Sequence, residues 1–332
     1  MDFEVTIKPA GNKFVVDEHS TVLDAAIQSG LNLPHSCRDG SCGTCMSRLL
    51  KGKISQPEDV DGISKDELSQ GYILTCVAQP ETDLEIESDH FPELDGIRPA
   101  LYPCKVESIG FPSKDIAVLN LRFPKNTKFI YLAGQYVDLI WNGAKRSYSI
   151  ANAKKLEQGI ELHIRKVANG LFSEFIFGKL KPETLMRIEG PHGTFFIRDN
   201  DSPILFLAGG TGFAPVKAMI EELITQKTMR DIHLYWGVQN NDHLYSEVPE
   251  SWQQKCKNIR FTPVVSEPDK DWKGRQGLVH EAVLEDFDDL STFEVYACGS
   301  LDMINATRSD FFRKGLHEEN FYSDAFTPFK QA

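Results

Sequence analysis

The chain has no apolar run near the roughly 18 residues that a membrane-crossing helix needs, and it has no basic excess. With 36 Lys+Arg against 48 Asp+Glu its net charge is −12, which disfavours nucleic acid and anionic membranes as partners. Its opening residues, MDFEVTIKPA, lack the basic-then-apolar order of a secretory signal. Internal repeats, low-complexity tracts and the G-x-G-x-x-G dinucleotide fingerprint are missing as well. Seven cysteines in 332 residues do not make a disulfide scaffold. They point to the reducing conditions of a cytoplasmic protein. The length predicts two or three domains with room for buried cores.

Four of the cysteines do form a pattern. Cys37, Cys42 and Cys45 read C-x4-C-x2-C, and Cys76 returns within GYILTCVA. Three thiolates from one loop and a fourth from far along the chain match plant-type ligation of a [2Fe-2S] cluster. Gly40 and Gly43 permit the positive φ that such a loop requires. Zinc is the competing reading, but its sites usually pair two short C-x2-4-C or H-x3-5-H motifs, and Cys76 stands alone. Cys104 and Cys256 fit no motif and read as structural thiols. Residues 1–92 carry 7 Lys+Arg against 16 Asp+Glu, a balance of −9, so most of the negative excess lies there. That acidity either steers docking to a basic electron partner or is a solvated surface.

Local patterns divide the chain in three. FEVTIKP and KFVVDE alternate as a hairpin about Ala10-Gly11-Asn12, and Thr21 caps a helix, VLDAAIQSG, that stops at Gly30. With MSRLL and TDLEIES this outlines a β-grasp (α+β) domain over 1–92. Residues 93–103, rich in Pro and aperiodic, read as a linker. From 104 to 200 come strands CKVESIGF, IAVLNLRF, QYVDLIW, RSYSIA, IELHIRKV and MRIEGPHGTFFI, broken by a helix, LFSEFIFGKL. That is the pattern of a closed antiparallel β-barrel. Residues 201–332 alternate strand and helix with nearly all-apolar strands, as an α/β domain with a buried parallel sheet does.

Several short motifs sit on this frame. Arg146-Ser147-Tyr148-Ser149 lies at a barrel-strand edge; His163-Ile164-Arg165 precedes Gly170-Leu171-Phe172-Ser173, where a helix N-terminus and a serine hydroxyl make a phosphate seat. Gly209-Gly210-Thr211-Gly212-Phe213-Ala214-Pro215 ends an apolar strand and opens a helix, so that bare backbone can approach a pyrophosphate. Cys298-Gly299-Ser300 follows another apolar strand. After the second strand of this domain Asp242 is placed to accept from a ribose hydroxyl, and the Ser/Arg cluster suited to a 2′-phosphate is missing. NADH is therefore expected, while Arg275 leaves NADPH open.

In this order and spacing the motifs resemble the ferredoxin–NADP reductase superfamily, in the branch fused to an N-terminal plant-type ferredoxin. That branch supplies reductase components of bacterial oxygenases, and the chain looks most similar to CDP-6-deoxy-3,4-glucoseen reductases. The resemblance covers essentially the whole length. It implies that Arg146 pairs with the flavin pyrophosphate, that Tyr148 lies against the isoalloxazine, and that Ser149 hydrogen-bonds near N5. It further implies that Ser147, His163–Arg165 and Gly170–Ser173 line the flavin site, that Gly209–Gly212 hold the nicotinamide cofactor, that Cys298 and Gly299 orient its ring, and that Phe326 covers the flavin. The implied catalytic set is Ser149, Cys298 and Phe326, with no side-chain base. The implied cofactors are the cluster, FAD (with FMN open) and NADH. Electrons would run from NADH through flavin and cluster to an acceptor protein, either a dehydratase or an oxygenase component. A ferredoxin-like binding or sensing module is the non-enzymatic alternative.

Overall fold

A computed structural model describes residues 1–154 and 159–326. The described chain divides into two compact units, Met1–Arg98 with His192–Thr194, and Pro99–Pro191 with Phe195–Phe326.

In the first unit the expected hairpin forms from β1 (Asp2–Lys8) and β2 (Lys13–Asp17). Helix α1 (Val22–Gln28) begins at Thr21, whose hydroxyl accepts from Asp24 N–H at 3.1 Å, and Gly30 beyond its end has φ 81°. Strands β3 (Met46–Lys51), β4 (Ile54–Ser55), β5 (Tyr72–Leu74), β6 (Gln79–Pro80) and β7 (Leu84–Glu87) follow. Five of the seven make one mixed sheet, β2-β1-β7-β3-β5, in which β1 and β7 run parallel. Val22, Leu23, Ala25 and Ala26 of α1 pack into the same core as Val5, Ile7, Val16, Leu84 and Ile86. This is the β-grasp arrangement. A short helix, α2 (Lys65–Ser69), lies between β4 and β5; its Ser64–Glu67 capping box is complete.

The second unit opens with β8 (Ala100–Ser113), which begins earlier than its sequence suggests. Leu101, Tyr102 and Pro103 pair with Glu189, Ile188 and Arg187, so the end of the Pro-rich stretch is already strand. With β9 (Ile116–Arg122), β10 (Tyr136–Trp141), β11 (Ala144–Ser149), β12 (Gly159–Arg165) and β13 (Leu185–His192) it makes an antiparallel sheet ordered β11-β10-β13-β8-β9-β12. The sheet curls until its edges meet at one bridge, Ile150 opposite Leu162. Helix α3 (Leu171–Gly178) packs on it, with Phe175 stacked on Trp141 at 3.7 Å between ring centroids.

The remaining elements are β14 (Ile204–Gly209), α4 (Phe213–Thr225), β15 (Ile232–Val238), α5 (Val248–Lys255), β16 (Ile259–Val265), β17 (Arg275–Gln276), α6 (Val279–Asp286), β18 (Glu294–Ser300), α7 (Leu301–Arg313) and β19 (Phe321–Phe326). The sheet is parallel throughout, ordered β17-β16-β15-β14-β18-β19. Both of its faces are covered, which is why β14, β15 and β18 are buried along nearly their whole length. Trp236, Tyr296, Phe206 and Phe213 are the largest fully buried side chains. Truncating one of them to Ala costs about 3–5 kcal/mol. No helix among the described residues is long and apolar enough to cross a membrane.

Candidate functional site

The four cysteines come together as two pairs. Cys45 Sγ and Cys76 Sγ lie 3.2 Å apart, both buried. Cys37 and Cys42 form the other pair, joined by a side-chain hydrogen bond. Within each pair one thiol holds its proton and its partner gives it up readily. The contact with Cys37 brings Cys42 down to about 6, and Cys76 lowers Cys45 in the same way. Among the described residues no three His, Cys, Asp or Glu side chains converge on one point as a lone ion would require. Two thiol pairs suit two tetrahedral irons and do not suit one zinc. The glycines shape the loop. Gly40 and Gly43 have φ of 81° and 76°, and a Cβ on Gly43 would come within 2.7 Å of the Gly62 carbonyl oxygen. Gly62 in turn donates its N–H to Gly40 O at 2.9 Å.

On the barrel, Arg146 and α3 meet. The Arg146 guanidinium lies 5.8 Å from the Phe172 ring, in the first turn of a helix whose N-cap, Gly170, offers no side-chain cap. A guanidinium beside uncapped backbone N–H groups is the donor set a pyrophosphate needs. Tyr148 is half-buried, and desolvation raises its phenol. Ser147 points its hydroxyl to Asp138 at 2.7 Å. Ser173 is buried and accepts the Val167 N–H at 2.8 Å. Ile164 and Phe172 belong to the barrel core, and Leu171 is exposed. Arg165 reaches elsewhere: its Nη1 lies 3.7 Å from the position of a Cβ on Gly210.

The glycine loop between β14 and α4 is packed against the end of β18. A Cβ on Gly212 would strike Cys298 O at 2.1 Å, and one on Gly299 would lie 3.1 Å from Gly209 Cα. At Gly212 and Gly299 only bare backbone fits, and the result is a floor of main-chain groups. Thr211 is half-buried on that floor. Trp236 steadies it from below, its indole N–H donating to Gly210 O at 2.9 Å while its ring stacks on Phe213 at 4.1 Å.

Cys298, Ser149 and a residue the sequence motifs did not single out, Asp324, form a buried group. Ser149 Oγ lies 3.5 Å from Asp324 Oδ2, and Cys298 Sγ lies 4.0 Å from the same oxygen. Burial, reinforced by Asp324, pushes the Cys298 thiol well above its ordinary range, so it stays protonated and is no nucleophile. Phe326 ends β19 opposite Ser300, 36% exposed. Asp242 is exposed in the turn after β15. Asp324 lies opposite Cys298 in the β18–β19 register, a pairing that only the fold reveals.

The His163 side chain belongs to a buried polar network. Its two ring nitrogens contact Tyr245 Oη (2.8 Å) and Glu161 Oε1 (2.9 Å). Lys217 of α4 lies 3.1 Å from the same Glu161 oxygen and also donates to Glu221 and Ala151 O. Burial would raise the Glu161 carboxyl, but His163 and Lys217 outweigh it and bring it down to about 2. This network ties β12 to α4.

Three family models match in order: a 2Fe-2S iron-sulfur cluster binding domain over 5–81, an oxidoreductase FAD-binding domain over 103–197, and an oxidoreductase NAD-binding domain over 206–309. The chain is 50% identical over 330 residues to the CDP-6-deoxy-L-threo-D-glycero-4-hexulose-3-dehydrase reductase of Yersinia pseudotuberculosis, covering 99% of this chain and 100% of that one. It is 32% identical to terephthalate 1,2-dioxygenase reductase component 1 of Comamonas sp, with 98% of each covered. Among solved structures, the Amycolatopsis cytochrome P450 reductase GcoB aligns with a TM-score of 0.82 at 27% identity, over 98% of this chain and 99% of that one. When bound, the three groups would supply a hydride, two electrons at once (NADH), the division of that electron pair into single electrons (FAD) and one-electron transfer ([2Fe-2S]). Three family models in order and a likeness to a reductase along the whole length agree: the chain belongs to the family of iron–sulfur flavoprotein reductases that join a plant-type ferredoxin to FAD- and NAD-binding oxidoreductase domains.

Proposed function

We propose that this reductase delivers its electrons to a dehydratase acting on a nucleotide-linked 6-deoxyhexulose. The observation that carries this is the 50% identity along the full length of the Yersinia reductase, against 32% for the terephthalate dioxygenase component. An oxygenase component as acceptor is the second reading, favoured by the full-length likeness to that same dioxygenase reductase. In this account Cys37, Cys42, Cys45 and Cys76 ligate the two irons. Arg146 and the α3 N-terminus at Gly170–Ser173 hold the FAD pyrophosphate, Tyr148 lies along the isoalloxazine, and Ser149 faces its N5. Gly209–Gly212, with Arg165 above them, seat the nicotinamide cofactor's diphosphate. Cys298 and Gly299 fix the angle of its ring, Asp242 meets its ribose, and Phe326 shields the flavin until that ring arrives. The side chains orient and exclude water; none acts as a base. The site for an iron cluster and the free thiols also suit a cytoplasmic setting.

The test is reconstitution. Mixed anaerobically with the CDP-6-deoxy-hexulose 3-dehydrase and its sugar nucleotide, the reductase should consume NADH at a rate that rises with dehydrase concentration. A rate that stays at background with the dehydrase, yet rises with a terephthalate dioxygenase oxygenase component, would replace this reading by the second.

A further inference from the structure

The chain that leaves β13 enters the cysteine-bearing unit for three residues. Pro191 belongs to the second unit, His192–Thr194 to the first, and Phe195 to the second once more. All three residues are buried, and each is bonded to a residue flanking Cys37. Thr194 N–H donates to His35 O at 3.2 Å, and His35 N–H donates to Thr194 Oγ1 at 3.1 Å. Gly193, which takes its turn at φ 89°, donates its N–H to His35 Nε2 at 3.1 Å. Arg38 Nη1 lies 3.3 Å from His192 Nδ1, while Arg38 Nη2 donates to Asp24 at 2.7 Å. Cys37 is therefore bracketed. On either side of it the chain is fastened to the same short segment.

The bonds also fix the state of the His35 ring. Its Nδ1 lies 2.8 Å from Leu33 O, and a carbonyl only accepts, so Nδ1 carries the proton. Nε2 is then bare, as the Gly193 N–H requires. His35 and Thr194 are both buried, so solvent does not compete for these bonds. From the Thr194 N–H the way to Cys37 runs through one hydrogen bond, the His35 carbonyl and Ser36.

We infer that His192–Thr194 is the inlet through which electrons reach the cluster, and that His35 is its positioning residue. The inference rests on the ligation of an iron by Cys37 proposed above. In the step one electron leaves the reduced flavin and one ferric iron becomes ferrous; no bond forms or breaks, and His35 keeps its proton. Partners just outside the ligands of a metal hold those ligands in place. What His35 supplies is a fixed separation, because electron tunnelling weakens steeply as a gap widens.

Anaerobic stopped-flow mixing of the holoprotein with NADH tests this, with flavin and cluster absorbance followed separately. His35→Asn keeps a donor for Leu33 O but falls short of Gly193, whereas His35→Gln reaches the Gly193 N–H with its amide oxygen. His35→Asn should slow cluster reduction about tenfold or more, with flavin reduction, iron content and the cluster's midpoint potential unchanged. Hydrogen exchange at the Gly193 amide should quicken in the same variant. His35→Gln should restore the wild-type rate, and Thr194→Val, which removes the acceptor of the His35 N–H, should slow transfer as His35→Asn does. Wild-type transfer in His35→Asn would overturn the inlet, and so would equal slowing in His35→Asn and His35→Gln. Lost iron or a moved potential in His35→Asn would assign His35 to building the loop alone and overturn it too. A wild type without a [2Fe-2S] EPR signal after dithionite would remove the ligation itself, and the inlet with it.

Discussion

On the proposed function, the buried side chain of Cys298 shapes the hydride step without joining it. Burial keeps its thiol protonated, and its sulfur sits 4.0 Å from Asp324 and behind the glycine loop, with its own carbonyl where any side chain on Gly212 would have to go. Replacing it by Ala removes volume from under the expected nicotinamide ring and leaves the loop backbone alone. Cys298→Ala should therefore slow flavin reduction by NADH about tenfold or more, since small misplacements of reacting atoms are costly, while flavin and iron content stay unchanged. Stopped-flow absorbance gives the rate, and an unaltered rate would assign Cys298 to packing alone. At this scale the sequence was uneven. The cysteine cluster was legible because three of its members lie within nine residues, where loop geometry is local. Asp324 was not, because its partner Ser149 lies 175 residues away and only the fold brings them together.

Whole elements were legible wherever a local signal repeats along the chain. The all-apolar runs of β14, β15 and β18 announced a parallel sheet, and Thr21 announced α1. Helix α2 carried its own sign, Ser64 and Glu67 three residues apart, but its five residues are too few to show a helical period. The link between β12 and α4 had no such sign. Glu161 alternates with apolar neighbours like any outward strand residue, and only the packed helix shows that Lys217 and His163 await it. Its lowered pKa makes a signed prediction. A carboxylate lowered by folding contributes stability above its unfolded value, near 4.5, and loses that contribution as the pH falls toward about 2. Glu161→Gln should then destabilise the protein by about 2 kcal/mol at neutral pH, with the gap to wild type closing across that acidic window. Urea unfolding at several pH values measures it; a gap independent of pH would mean that the charge on Glu161 does not matter.

At the scale of the whole molecule, three cofactor domains in one chain reconcile carriers of different valence. The nicotinamide cofactor gives electrons in pairs and the cluster takes them singly, so a flavin domain has to stand between the two in function. The resemblance of the motifs in order made this modular plan visible from sequence, and the matches to all three family models over 5–309 agree with it. Nothing local in the residues names the acceptor, because recognition of a protein partner is spread over a surface.

The modular electron path is tested most directly by anaerobic NADH titration of wild type and Cys76→Ser, following flavin absorbance and the low-temperature EPR signal of a reduced cluster. In the wild type NADH should bleach the flavin and raise the cluster signal. In Cys76→Ser the flavin should still bleach at the wild-type rate while the [2Fe-2S] signal is lost. Flavin that no longer accepts electrons once Cys76 is changed, or a wild type whose flavin is reduced while its iron never is, would contradict the account.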